Sequence, residues 1–143
     1  MAVVYFDASA LVKLVVEESG SDIAAVLWDG CDAAVSSRIA YPEVRAALAA
    51  AGRNHVLDEA SLTKCEQDWE EFWAAIRPVE LTYQVQMAAG LLAKRHSLRG
   101  ADAVHLASAL EMGLPDLVVA VWDRRLYSGA RAENLAVAPA NLP

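Results

Sequence analysis

The chain has 143 residues, 56% of them hydrophobic, with 19 acidic against 12 basic side chains and a formal net charge of −7. Its length suits one domain, residues 1–143, with a single substantial core. The acidic balance argues against a nonspecific nucleic-acid binder, which normally carries basic excess, but not against a nuclease whose carboxylates are offset by bound cations.

Ala2–Phe6 is a β-branched and aromatic run that predicts a buried strand ending at Asp7. Ser9 is expected to cap a helix over Ala10–Val16, and a second helix fits Asp22–Trp28. A short strand is expected at Ala33–Ser36. Arg38–Ala51 reads as a helix with Pro42 in its tolerant first turn and Gly52 as its stop. Asp58–Ile76 is amphipathic: Leu62, Cys65, Trp69, Phe72, Trp73 and Ile76 share one stripe, read as core, and the acidic run Glu66, Asp68, Glu70 and Glu71 faces away. Pro78 ends it, and a third strand follows at Val79–Leu81. Helices at Tyr83–Arg95, capped by Thr82, and Ala101–Met112 precede an apolar strand, Leu117–Trp122, that ends at Asp123. A short helix and a strand near Leu135–Val137 close the chain. This alternation predicts an α/β domain with a mainly parallel sheet.

No apolar run approaches the roughly 18 residues of a membrane span. Asp7 and Lys13 interrupt the first apolar stretch, which argues against a signal peptide. Cys31 and Cys65 are too few for a disulfide framework, so reduced thiols and a cytoplasmic location are expected.

Four acids interrupt segments otherwise built for burial: Asp7, Glu43, Asp102 and Asp123. Desolvating a carboxylate costs several kcal/mol unless it is paired or bound to a metal. Asp7 and Asp123 each follow a predicted strand, at the edge where parallel sheets bind ligands. Glu43 and Asp102 lie near the starts of two alanine-rich helices that can point to that edge. Two carboxylates about 4 Å apart repel by roughly 4 kcal/mol at an effective dielectric near 20, so a cluster requires cations or protons. Oxygen donors alone suit Mg²⁺ or Mn²⁺ rather than zinc. No serine or cysteine nucleophile paired with histidine is evident, and the expected reaction is metal-dependent hydrolysis. Singly, each acid has a plainer reading, as a helix cap, a strand-end turn residue or a helix-start charge.

The segments VVYFDASALVKL, SSRIAYPEVRAAL, LRGADAVHLASAL and VVAVWDRRL resemble the acidic motifs of the PIN-domain family. Within it, the chain is similar to the VapC-type toxins of bacterial toxin–antitoxin pairs over almost its whole length. The resemblance implies a three-layer α/β/α sandwich and a ribonuclease using Mg²⁺ or Mn²⁺. Asp7, Glu43 and Asp102 would be the core metal-binding acids, with Asp123 the fourth and Ser9 a supporting hydroxyl. Where the family often has serine or threonine one or two residues before the fourth acid, this chain has Val121 and Trp122. Homodimers and inhibition by a VapB-type antitoxin are implied as well.

An RNA-processing PIN nuclease without an antitoxin is the nearest rival reading. A phosphatase or receiver domain fits poorly, since Ser9 stands where a phosphatase of the haloacid-dehalogenase type would need aspartate. A non-catalytic relative would be expected to lack an acid. His105 reads as a core histidine donating a hydrogen bond. Arg99, Arg124 and Arg125 are either RNA-phosphate contacts or plain surface residues.

Overall fold

β1 (Val3–Phe6) is buried at every position, as a central parallel strand covered on both faces must be. In the computed structural model, which describes residues 1–143, it is followed by α1 (Ala8–Val15), α2 (Ser21–Gly30) and the equally buried β2 (Ala33–Ser37). Next come α3 (Ala40–Arg53), α4 (Glu59–Ala75), β3 (Arg77–Val79), α5 (Tyr83–His96) and α6 (Gly100–Glu111). β4 (Val118–Ala120), α7 (Arg124–Ala132) and β5 (Ala136–Ala138) end the chain.

The sheet runs β3-β2-β1-β4-β5 with every neighbouring pair parallel. The period-2 alternation of side chains divides the core. Val3, Tyr5, Val35 and Val119 face α5, α6 and α7. Val4, Phe6, Ala34 and Ala120 face α1, α3 and α4. The result is the expected three-layer α/β/α arrangement. From β1 the chain moves outward to β2 and β3, whereas β4 moves to β5 on the other side. Connections leaving β1 and β4 therefore diverge, opening a crevice at the carboxyl ends of these two strands. No helix is long and apolar enough to cross a membrane.

Several boundaries differ from expectation for identifiable reasons. α1 is capped by Asp7, not Ser9: the Asp7 carboxylate accepts the Ala10 amide, and Ser9 lies within the helix. β3 starts at Arg77 and includes Pro78, which an edge strand tolerates because it need not donate there. Gly52 does not stop α3, which runs to Arg53. A Cβ at Gly52 would lie 2.8 Å from Leu62 Cδ2, so this glycine serves close packing against α4.

Trp69 is the largest fully buried side chain and packs beside Tyr41 and Trp73. Its indole N–H is buried without a partner, so its contribution is packing alone. Trp69→Ala is expected to cost about 3–5 kcal/mol. Trp69→Phe, which forfeits no hydrogen bond, is expected to cost less than half of that by urea denaturation. Equal losses would contradict the packing account.

Candidate active site

Asp7 continues directly from β1 into the crevice. Its amide donates to the Ala120 carbonyl of β4 at 3.2 Å, which ties the two strand ends together. Its carboxylate is 3% exposed. Both hydrogen bonds to Oδ1 come from neutral groups, the Ser9 hydroxyl at 2.6 Å and the Ala10 amide at 3.0 Å. Ser9 Oγ in turn accepts the Trp122 amide at 3.0 Å. Ser9 thus reaches from α1 to the end of β4, beside the positions Val121 and Trp122 that carry no hydroxyl of their own. Burial raises the Asp7 carboxyl from 3.8 to about 6, against the lowering effects of His105, Ser9 and the Ala10 amide, and the Glu43 charge adds to the rise.

Glu43 stands in the first turn of α3, on one side of the sheet. His105, on α6, comes from the other side and is 1% exposed. Its Nε2 lies 2.6 Å from Glu43 Oε1, and its Nδ1 lies 2.8 Å from the Tyr5 hydroxyl. Burial holds the Tyr5 phenol far above its ordinary pKa, so it stays protonated. With Tyr5 donating to Nδ1, the imidazole carries its proton on Nε2 and donates it to Glu43. Tyr5, His105 and Glu43 form a chain across the sheet edge that fixes one Glu43 oxygen. His105 is the core hydrogen-bond donor expected from the sequence, and its acceptor is one of the four acids. An apolar helix carrying one histidine a turn after an acid was the only signal for that role.

Asp102 lies in the first turn of α6 and is 7% exposed. It is not the cap, a position held by Arg99. Asp123 is the cap of α7 and accepts the Leu126 amide at 2.9 Å. The Arg99 guanidinium bridges the two acids, 3.1 Å from Asp102 Oδ2 and 3.2 Å from Asp123 Oδ2. It also feels the charge of Glu43. Arg99 was expected on RNA phosphates or bare surface, and here it contacts carboxylates. Its side chain is 70% exposed, so the bridge is screened by solvent and weak.

The four acids are linked through shared neighbours: Asp7 interacts electrostatically with Glu43, and Arg99 with Glu43, Asp102 and Asp123. No three acidic, histidine or cysteine side chains close on a single point as a ready metal cage. Arg99 draws Asp102 and Asp123 toward itself, and His105 draws Glu43. The donor chemistry nonetheless fits a hard divalent cation. All four groups are carboxylates, and the most buried, Asp7, receives hydrogen bonds only from neutral donors. Cys31 and Cys65 are free thiols outside this crevice.

The PIN-domain family model matches residues 4–131, and the chain belongs to that family. Its VapC-type character follows from two curated relatives in Mycobacterium tuberculosis, Ribonuclease VapC45 and Ribonuclease VapC49. Each is 68% identical over 142 residues, spanning 99% of this chain and 99% of the relative. Among solved structures, a toxin–antitoxin complex from Klebsiella pneumoniae covers 100% of both chains with a TM-score of 0.68. At 17% identity, that likeness is one of fold alone.

The Asp7 environment sets a pH dependence. Between pH 3.8 and about 6 the folded, metal-free protein keeps a proton on Asp7 that the unfolded chain releases. Stability therefore falls as pH rises through this window, and the loss is complete above it. Asp7→Asn retains a competent cap without the charge. In EDTA the variant should exceed wild type by up to about 3 kcal/mol at pH 7.5 and match it near pH 4. Chemical denaturation at the two pH values measures this, and a less stable variant at pH 7.5 would refute it.

Proposed function

We propose that this protein is a metal-dependent endoribonuclease and the toxin of a VapBC-type toxin–antitoxin pair. The observation that carries the reading is the electrostatic linkage of Asp7 to Glu43 and, through Arg99, of Glu43 to Asp102 and Asp123, in a chain so similar to named ribonucleases. Mg²⁺ or Mn²⁺ bound there would lower the pKa of water and offset negative charge on the phosphodiester in the transition state.

The protein's own residues have separate tasks in this reading. Asp7, Glu43, Asp102 and Asp123 are the groups that would hold the cation. Ser9 orients the Asp7 carboxylate through its 2.6 Å hydrogen bond. His105 orients Glu43 by engaging one of its oxygens, and the other would be available to a cation. Arg99 neutralises Asp102 and Asp123 in the metal-free protein and must yield as a metal enters. Preorganised carboxylates reduce the reorganisation needed when charge develops.

Inhibition by a VapB-type antitoxin, a homodimeric assembly and a cytoplasmic location complete the proposal. Solved toxin–antitoxin complexes with this fold support the antitoxin partner.

Asp102→Asn is the direct test of the cluster. It preserves the size of a side chain near the start of α6 and removes one charge. Cleavage of RNA in Mg²⁺ or Mn²⁺ should fall at least about a hundredfold, an effect typical of losing one electrostatic stabiliser, while circular dichroism stays unchanged. Wild-type cleavage by the folded variant would refute the carboxylate mechanism.

A further inference from the structure

Twelve lysines and arginines serve a chain with net charge −7. Lys13, Arg38, Arg45, Lys64, Arg95 and Arg99 form ion pairs with carboxylates. The other six pair with no acidic side chain, and three of them, Arg124, Arg125 and Arg131, lie on the nine-residue helix α7. The remaining three, Arg53, Arg77 and Lys94, are scattered over α3, β3 and α5.

The ends of α7 explain why its arginines find no acidic side chain to pair with. Asp123, the cap, is held by Arg99. Glu133, just beyond the last turn, is held by Arg95 and by His96 at 2.7 Å. No acid remains within the helix to neutralise its interior. Arg124, Ser128 and Arg131 recur at helical spacing on the exposed face, while Leu126, Tyr127, Gly129 and Ala130 are buried. The Arg124 guanidinium donates to the terminal carboxyl group of Pro143, a contact that a strand phosphate would have to displace.

Three adjoining hollows lie against this face and share Arg124. The first, about 480 Å³, is lined by Arg99, Trp122, Asp123, Arg124 and Arg125, so it reaches one of the four acids and the arginine that bridges it to Asp102. The second, about 550 Å³, adds His96, Ser97 and Ser128 beside Arg124 and Arg125. The third, about 270 Å³, reaches Arg131 and Asn141. Cationic and hydroxyl donors in shallow, open hollows suit phosphate oxygens rather than apolar ligands.

We infer that the exposed face of α7 is the track for the RNA strand on one side of the scissile bond, with Arg124, Arg125 and Arg131 binding its successive phosphates. The inference rests on the ribonuclease reading and deepens it by saying where the strand runs. A track of this kind also offsets the repulsion that the acidic crevice exerts on a polyanion. It carries no base-specific element, so it positions the strand and leaves sequence choice to other groups.

The test is binding without cleavage. Anisotropy of a fluorescent oligouridylate is followed in EDTA between about 50 and about 200 mM salt, where single-strand affinity falls with a log–log slope near −0.7 per phosphate contact. The slope for Arg124→Gln/Arg125→Gln should be shallower than wild type by about 1.4. Arg124→Lys/Arg125→Lys should restore most of it, and Arg53→Gln/Arg77→Gln should leave it unchanged. An unchanged slope in the α7 variant, or an equal loss in the Arg53/Arg77 control, would overturn the track. Because no metal is present, the result does not depend on cleavage. A protein that cuts RNA but keeps its slope in the α7 variant refutes the track alone, whereas one that neither binds nor cuts RNA refutes the ribonuclease reading with it.

Discussion

The buried charge of Asp7 is the constraint around which the crevice is arranged. A carboxylate this far from water is costly, and its hydrogen bonds come from one hydroxyl and one amide, neither carrying charge. Its burial follows directly from the sheet: β1 is central, covered by helices on both faces, and Asp7 is the first residue past its end. The protein meets the cost partly by protonation. A divalent cation would meet it far more completely, because the group would then stay ionised and coordinated.

The neighbouring groups can be understood as adjustments to that charge. Topology supplies the crevice, since the chain turns opposite ways after β1 and β4. Ser9 links the two strand ends through Asp7 and the Trp122 amide. The Tyr5–His105–Glu43 chain carries an acid from α3 to the edge and fixes it against α6, so both helical layers share one hydrogen-bonded seam. Arg99 acts as an exposed counter-charge between Asp102 and Asp123. Its exposure makes the bridge weak, as binding of the proposed cation would require.

Much of this was legible in the sequence, because strand and helix periods are written in local pattern. Apolar runs ending in Asp7 and Asp123 located both acids at one sheet edge before any strand order was known. The interruption of alanine-rich helices by Glu43 and Asp102 marked two more. What could not be read were relations between distant residues. His105 meets Glu43 across 62 positions, and Arg99 meets Asp123 across 24. Local rules also failed where tertiary contact decided the outcome. Gly52 looked like a helix stop and is a packing contact with Leu62, while Pro78 looked like the helix stop ahead of the third strand and sits inside that edge strand. The capping of α1 went to Asp7 rather than Ser9 because the helix begins as soon as β1 ends.

The central claim is that the Asp7 charge is matched by a divalent cation, and thermal melts in a Mn²⁺ titration at pH 7.5 test it most directly. Wild type should start below Asp7→Asn and rise with Mn²⁺, gaining about 2.7 kcal/mol at a hundred times the dissociation constant, while Asp7→Asn stays nearly unmoved. Equal shifts in the two proteins, or none in wild type, would contradict the account.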